Sequence, residues 1–503
     1  QTCALPIFLI PFTTAILCLF FWKNIKAQRI FHLSGAFLYL IFSFVLFSEV
    51  RTNGILVTQV GDWVAPFGIT FVADLFSAIM ILINGIIGFA TAIYAVGSID
   101  EKRAQYGFYP LLQFLIMGIS GAFLTGDIFN LYVWFEVMLM SSFVLIALGG
   151  TKPQIEGAIK YVTLNLLSSA FFLTGCGILY GVAGTLNLAD LSIKLAELNN
   201  PGLVTVIGML FLVSFGIKAG IFPLFFWLPA SYHTPPAAVS AIFGGMMTKV
   251  GVYSLIRVYT LLFNHDIGYT HTIILVLASF TMVTGVLGAF AQTEFRRILS
   301  FHIVSQIGYM ILGLAIFTPL SIAGTIFYIA HNIFAKTNLF FISGVVRSIS
   351  GSYSLKKLGG LYKPYPMLGI LFLISAFALA GIPPLSGFWA KFIVIKAALE
   401  VEDLISVAVA LFVSLLTLLS MIKIWNDAFW KDKIDSESEE EVNQFKSMSK
   451  VKKIFFLSPI VLLALITISI GFFPEFLFSL SRDAAEQLLN PQIYIEAVLG
   501  KVK

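Results

Sequence analysis

Fourteen apolar runs of membrane-spanning length follow one another along this chain, and they leave it few ways to fold. A span needs about 20 mostly apolar residues. Such runs lie near 4–22, 30–48, 73–97, 107–125, 128–149, 158–184, 203–228, 236–263, 272–291, 300–318, 322–347, 367–396, 405–429 and 454–474. Inside a bilayer every backbone N–H and C=O needs a partner within the protein, so segments of this kind fold as helices. The expected fold class is an all-α integral membrane protein with about fourteen transmembrane helices. Composition agrees: 58% of the 503 residues are hydrophobic and only 11% are charged, whereas a soluble domain carries about 25% charge. Soluble classes are excluded, and the 50 phenylalanines suit a lipid-facing surface.

The net charge of +5 is then a statement about topology rather than about nucleic acid, which is not an expected partner. If the first connection faces the cytoplasm, alternate connections hold Lys23, Lys26, Arg29, Lys102, Arg103, Lys152, Lys160, Arg296, Arg297, Arg347, Lys356, Lys357, Lys363 and the series from Lys423 to Lys453. The opposite side holds Arg51, Lys194, Arg257, Lys396, Arg482, Lys501 and Lys503. The imbalance predicts that both termini face outward and that the acidic, serine-containing stretch 431–453 is a solvated cytoplasmic loop. The chain begins at Gln1 rather than Met, so its natural start is expected to differ. Its first apolar run lacks a cleavage signature and reads as a span rather than a signal peptide. Cys3, Cys18 and Cys176 lie in apolar stretches with no CxxC spacing and read as small buried hydrophobes.

Five charges interrupt the apolar runs: Glu136, Lys218, Lys249, Lys336 and Lys391. A charge at mid-membrane costs on the order of 3 kcal/mol on insertion scales, roughly 15 kcal/mol for five. Charges retained in such places mark ion or proton pathways. A carboxylate there takes its charge state from a cationic neighbour, and burial eases proton release from a lysine. Glu136 lies within Phe129-Asn130-Leu131-Tyr132-Val133-Trp134-Phe135-Glu136-Val137-Met138-Leu139-Met140, where a structural ion pair with a lysine is the plain alternative. Lys391 falls toward the outer end of its span, where a lysine can also snorkel to the interface.

One internal repeat is visible. Ala219-Gly220-Ile221-Phe222-Pro223-Leu224 recurs as Ala380-Gly381-Ile382-Pro383-Pro384-Leu385, 161 residues on, with Phe226-Trp227 and Phe388-Trp389 close behind. Span 12 comes five spans after span 7, and an odd offset inverts the second copy. Gly220, Pro223, Gly381, Pro383 and Pro384 are expected to break the two helices and free backbone groups that need polar partners. Paired broken helices in inverted repeats build many ion-coupled transporters; simple proline kinks are the alternative.

His331 lies five residues before Lys336, about 140° round a helix, so the two point different ways. It reads equally as a proton relay or a hydrogen-bonded core residue. His302 and His233 lie near the cytoplasmic ends of their spans, where they would mark an access route. Ser305, Gln306, Thr248 and Asn338 would hold water between charges or satisfy helix backbones. No phosphate-binding glycine loop, metal-spaced Cys/His set or nucleophile elbow is present in the sequence. No cofactor or metal is expected, and no enzymatic activity. An ion gradient or a partner would supply the energy.

On these residues the chain resembles the antiporter-like subunits shared by respiratory complex I, membrane-bound hydrogenases and the multisubunit Mrp Na+/H+ antiporters, and within them the D-type Mrp subunits. The motifs that carry the resemblance are Phe129 to Met140 with Glu136, Lys218 to Leu224 leading to Trp227-Leu228-Pro229, and Gly381 to Lys391. A chain ending soon after span 14, and Lys391 where a related complex I subunit has Glu, favour the D type. The resemblance implies two inverted five-helix units, each with a broken helix. It divides the chain into helices 1–3 (1–106), a first unit (107–265), a second unit (266–430), the charged loop (431–453) and helix 14 with its tail (454–503). It implies a gating pair of Glu136 with Lys218, and a proton path continued by Lys249, Lys336 and Lys391. The function implied is proton translocation coupled to Na+ efflux, with Mrp A, B, C, E, F and G subunits as partners, in a bacterial cytoplasmic membrane. A proton-pumping subunit of a complex I-like oxidoreductase or a hydrogenase stays open as the rival, as does a scaffold whose charges only hold partners.

Overall fold

The computed structural model describes residues 4–432 and 443–500. Cys3, Lys433, Lys501, Lys503 and the middle of the charged loop (433–442) lie outside the described residues. The fourteen runs fold as α1 (Leu5–Phe20), α2 (Ile25–Asn53), α3 (Leu75–Ser98), α4 (Phe108–Leu124), α5 (Ile128–Ala147), α6 (Lys152–Ala183), α7 (Pro201–Ala219), α8 (Ala237–Leu261), α9 (Ile267–Ala291), α10 (Phe295–Ile316), α11 (Pro319–Ser350), α12 in two halves (Pro366–Ala380 and Ser386–Glu400), α13 (Leu404–Trp430) and α14 (Lys450–Phe472). Eleven of these are long and apolar enough to cross a bilayer, and α1, α4 and the first half of α12 are shorter apolar helices. Between α2 and α3 the chain makes a small antiparallel pair, β1 (Leu56–Gln59) with β2 (Thr70–Ala73). Two amphipathic helices, Pro474–Leu489 and Pro491–Leu499, follow α14. The membrane windows of α8 and α11 are wholly buried and that of α10 nearly so, while α2, α6, α9, α13 and α14 keep outward apolar faces. The lysines of α8 and α11 therefore lie in the most enclosed part of the molecule.

The repeat extends well beyond the two motifs. Isolated antiparallel bridges join Asp127 to Asn187 and Glu294 to Ser354, so each partner moves by 167 residues. Helices α6 and α11 are each 32 residues long. Each opens on a threonine, Thr151 or Thr318, whose backbone N–H is taken by the side chain three residues on. Each closes on a left-handed glycine, Gly184 or Gly351. Helices α8 and α13 each contain a π-helical segment, Phe243–Met247 and Trp425–Trp430.

Both breaks have the same backbone. Gly220 (φ 85°) and Gly381 (φ 90°) end the first halves in the left-handed region, which glycine adopts without a Cβ penalty. Their N–H groups bond back to Gly216 and Phe377, and the following Ile221 and Ile382 bond to the same carbonyls, closing a Schellman turn. The peptides Phe222–Pro223 and Pro383–Pro384 are both cis. Side chains take up groups that the breaks free. Thr281 accepts from the Phe222 N–H at 3.0 Å, and Trp227 donates to Ile217 O at 3.0 Å. At the second break Ser414 and Lys391 both donate to Ala380 O at 2.9 Å. The breaks are thus full interruptions with polar closure rather than simple kinks.

Candidate functional site

The buried ionisable residues form a file that passes from helix to helix between the two breaks. At one end Glu136, half-buried on α5, accepts a very short hydrogen bond from the Ser169 hydroxyl of α6. Lys218, in the last turn of α7, donates to the same hydroxyl at 3.4 Å and lies 4.8 Å from the Phe135 ring centroid. Ser169 therefore stands between the acid and the base, and no direct Glu136–Lys218 ion pair is formed among the described residues. The expected pair is a bridged one.

A cavity of about 20 Å³ adjoins Lys218, lined by Phe135, Tyr161, Asn165, Tyr232 and Met247, enough for about one water. Met247, which lines it, is two residues from Lys249. The Lys249 ammonium donates to Gly244 O at 2.7 Å, a carbonyl in the π-helical segment of α8, where the regular helical ladder is interrupted. Lys336 on α11 donates to Leu299 O of α10 at 3.1 Å and lies within the field of Lys249.

Beyond Lys336 the file divides round the second break. His302 on α10 pairs Nε2 with the Ser420 hydroxyl at 2.6 Å and lies in the field of both Lys336 and Lys391. His331 pairs Nδ1 with the Ser386 hydroxyl, at the start of the second half of α12, at 2.7 Å. Lys391 turns inward: it is 4% exposed, bonds Ala380 O at 2.9 Å and Ser414 at 3.0 Å, and lies 5.1 Å from the Tyr309 ring. The snorkelling alternative is set aside, because the carbonyl end of the broken helix offers this ammonium an inward partner with the favourable end of the helix dipole.

Several polar atoms along this stretch are buried without a protein partner. They are the Thr248 and Thr337 hydroxyls, the Ser305 hydroxyl, Gln306 Nε2, both amide atoms of Asn332, Asn338 Oδ1, His302 Nδ1 and His331 Nε2. An unsatisfied buried group costs about 1–3 kcal/mol, and native proteins satisfy such groups with ordered water. Four residues singled out in the sequence as water holders, Thr248, Ser305, Gln306 and Asn338, are among them. His233 lies apart from the file: its Nδ1 pairs with Pro229 O at 2.7 Å, and burial, with Arg296 nearby, pushes its imidazole down to about 4.

Three further charges, Asp74, Arg257 and Arg296, are buried although the sequence pattern does not mark them out. The sequence pattern assigns Arg257 to a connection, yet it lies in the last turns of α8 and pairs with Asp74 at 2.5 Å, with both side chains under a tenth exposed. Tyr253 accepts from Arg257 at 2.9 Å, and the Tyr494 ring lies 5.5 Å away. Arg296 at the start of α10 is also buried, stacked 3.7 Å from the Tyr353 ring centroid and donating to Pro235 O at 2.5 Å. A signal for the first pair exists in the sequence: Arg257 falls inside an apolar run, and Asp74 opens another. Cys18 and Cys176 are buried free thiols, as expected of small hydrophobes.

Paired broken helices, inverted within a helical membrane protein and joined by buried cations, define the architecture of ion-coupled transporters. The family profile described as NADH:quinone oxidoreductase/Mrp antiporter, TM, matches residues 125–417. The D-type subunit of the Na+/H+ antiporter of Alkalihalophilus pseudofirmus is 50% identical over 98% of both chains. Among solved structures, a chain of the Mrp complex from Dietzia sp. superposes with a TM-score of 0.91 at 32% identity, covering 99% of this chain and 100% of that one. A chain of the membrane-bound sulfane sulfur reductase, an archaeal respiratory membrane complex, also reaches 0.91, at 25% identity and the same coverage. The chain belongs to the NADH:quinone oxidoreductase/Mrp antiporter transmembrane family.

Proposed function

We propose that this chain is the proton-translocating subunit of a multisubunit Na+/H+ antiporter, and that Glu136, Lys218, Lys249, Lys336, Lys391 and His331 carry the proton. The observation that carries the reading is the series of buried bases between the two breaks, interspersed with buried polar atoms that call for water. Glu136 and Lys218 form the gate through Ser169: when the carboxylate takes a proton, its hold on the shared hydroxyl and on the ammonium weakens, and the lysine is freed to release its own proton inward. Lys249 and Lys336 pass the charge between the units 107–265 and 266–430, and Lys391 with His331 receives it at the second break. Gly220, Pro223, Gly381, Pro383 and Pro384 keep the two breaks open.

Proton entry down the membrane potential supplies about 2.3 kcal/mol per charge per 100 mV, which drives Na+ outward. The basic residues of alternate connections support a setting in a bacterial cytoplasmic membrane with both termini outside. The relative that is 50% identical is named as a subunit, and the Dietzia chain that superposes comes from an Mrp complex; both support assembly with further Mrp-type subunits. Glu136→Ala and Lys218→Ala are expected each to abolish Na+-driven pH change in everted vesicles while the complex still assembles. Near-normal exchange in both variants would sink the proposal, and disassembly of both would favour a scaffold. Flavin or iron–sulfur absorption in the purified native complex would instead favour the electron-transfer rival.

A further inference from the structure

Outside the file, an open groove of about 430 Å³ lies between α2, α3 and α14, walled by Leu33, Phe37, Phe89, Ile93, Ile454 and Phe455, with Ser34 and Ser458 as its hydroxyls. Its walls are near the start of α2, the end of α3 and the start of α14, so it opens at one end of the molecule. That end is basic. Lys26 and Arg29 precede Leu33 by seven and four residues on α2, which puts them on the helix face that carries Leu33 and Phe37. Lys450 precedes Ile454 and Ser458 by four and eight residues, on the same face of α14 as those two. Lys26 and Lys450 are exposed, and neither has a carboxylate partner among the described residues. Of the nearby acids, Asp100 is already paired with Arg103 and Glu101 lies exposed on the next short helix.

An open apolar cleft among membrane-spanning helices, with unpaired cations on the same helix faces, has the chemistry of a phospholipid site. A neutral transmembrane helix would leave Lys26 and Lys450 without counter-charge, whereas an anionic headgroup supplies it to both. We infer that this groove binds an anionic phospholipid of the bilayer, with an acyl chain between α2, α3 and α14, the headgroup phosphate between Lys26 and Lys450, and the two serines facing its ester region. Basic pockets between membrane helices bind anionic lipids in this manner, each basic residue contributing about a fivefold preference.

The test uses the intact complex reconstituted with spin-labelled phosphatidylglycerol or phosphatidylcholine. The wild type is expected to hold phosphatidylglycerol preferentially, and Lys26→Gln with Lys450→Gln to lower that preference about fivefold for each charge removed. A photoreactive phenylalanine analogue in place of Phe37 is expected to crosslink to phosphatidylglycerol. An assembled double variant with unchanged preference overturns the inference. So does crosslinking of position 37 to another subunit, which would make the groove a protein interface. If the double variant does not assemble, the crosslink, made with both lysines present, decides.

Discussion

The two five-helix units share a scaffold and differ in charge. Helices α5 and α6 relate to α10 and α11 by 167 residues, as the bridges at Asp127 and Glu294 and the opening threonines Thr151 and Thr318 show. At that shift Tyr161 and Asn165 of the first unit keep counterparts in Tyr328 and Asn332 of the second. Glu136, by contrast, meets Ile303, and Ser169 meets Lys336. The break lysines differ too: Lys218 precedes its break, while Lys391 follows the other and folds back onto its carbonyl. Residues that fix the backbone recur, and residues that set charge do not. The first unit therefore joins an acid to a base through a hydroxyl, and the second strings bases together. That asymmetry gives a file with two unlike ends, which a vectorial carrier needs and a symmetric pore would lack.

The two units differ most sharply at Ser169 and Lys336, which occupy matching places on α6 and α11. If only the lysine exchanges a proton, Lys336→Ala should slow antiport by about 100-fold or more, the usual scale for losing a positioned proton carrier. Ser169→Ala should cost only several-fold, since Glu136 and Lys218 can still meet through water. Initial rates in everted vesicles at matched protein levels measure both. Equal and complete loss in the two variants would make Ser169 an obligatory member of the relay and erase the distinction between the units.

A smaller effect separates the two break lysines. Lys391 makes two hydrogen bonds at 2.9 and 3.0 Å, whereas Lys218 has one long contact at 3.4 Å. Hydrogen bonds from charged groups contribute about 1.5–3 kcal/mol each, so Lys391→Met should destabilise the purified complex by about 1–2 kcal/mol more than Lys218→Met. Thermal or denaturant unfolding reads the difference. A larger loss in the Lys218 variant would mean that its charge, and not the closure of the second break, holds the packing.

What the sequence made legible follows the strength of each physical signal. Fourteen apolar runs, two glycine–proline breaks and five lone charges are strong signals, because a bilayer penalises every exception. The opposite headings of His331 and Lys336 followed from helical geometry, and the two indeed face different partners, Ser386 and Leu299 O. Tertiary partnerships were not legible. Ser169 between Glu136 and Lys218, Ser414 at Lys391 and Ser420 at His302 lie 33, 23 and 118 residues from their partners, and a membrane helix carries many serines that only bond their own backbone. Arg257 reads as a connection residue because it lies near the end of an apolar run, where charges are cheap; only the fold brings Asp74 to it.

The smallest effect tests the scaffold itself. Thr318 accepts from the Ser321 N–H at 3.2 Å while Ser321 accepts from the Thr318 N–H at 2.9 Å. At the matching place Gln154 accepts from the backbone and the hydroxyl of Thr151 at 3.3 and 2.9 Å. Replacing a capping threonine by alanine costs about 1 kcal/mol. If the two units bear equal loads, Thr151→Ala and Thr318→Ala should lower the unfolding midpoint by similar small amounts, and the double variant by their sum, since residues in separate networks add. Both variants should keep wild-type antiport, because neither cap touches the file of bases. A cap worth several times its counterpart would show that one unit stabilises the fold while the other merely rides on it, and the matched backbone would then record ancestry without equal duty.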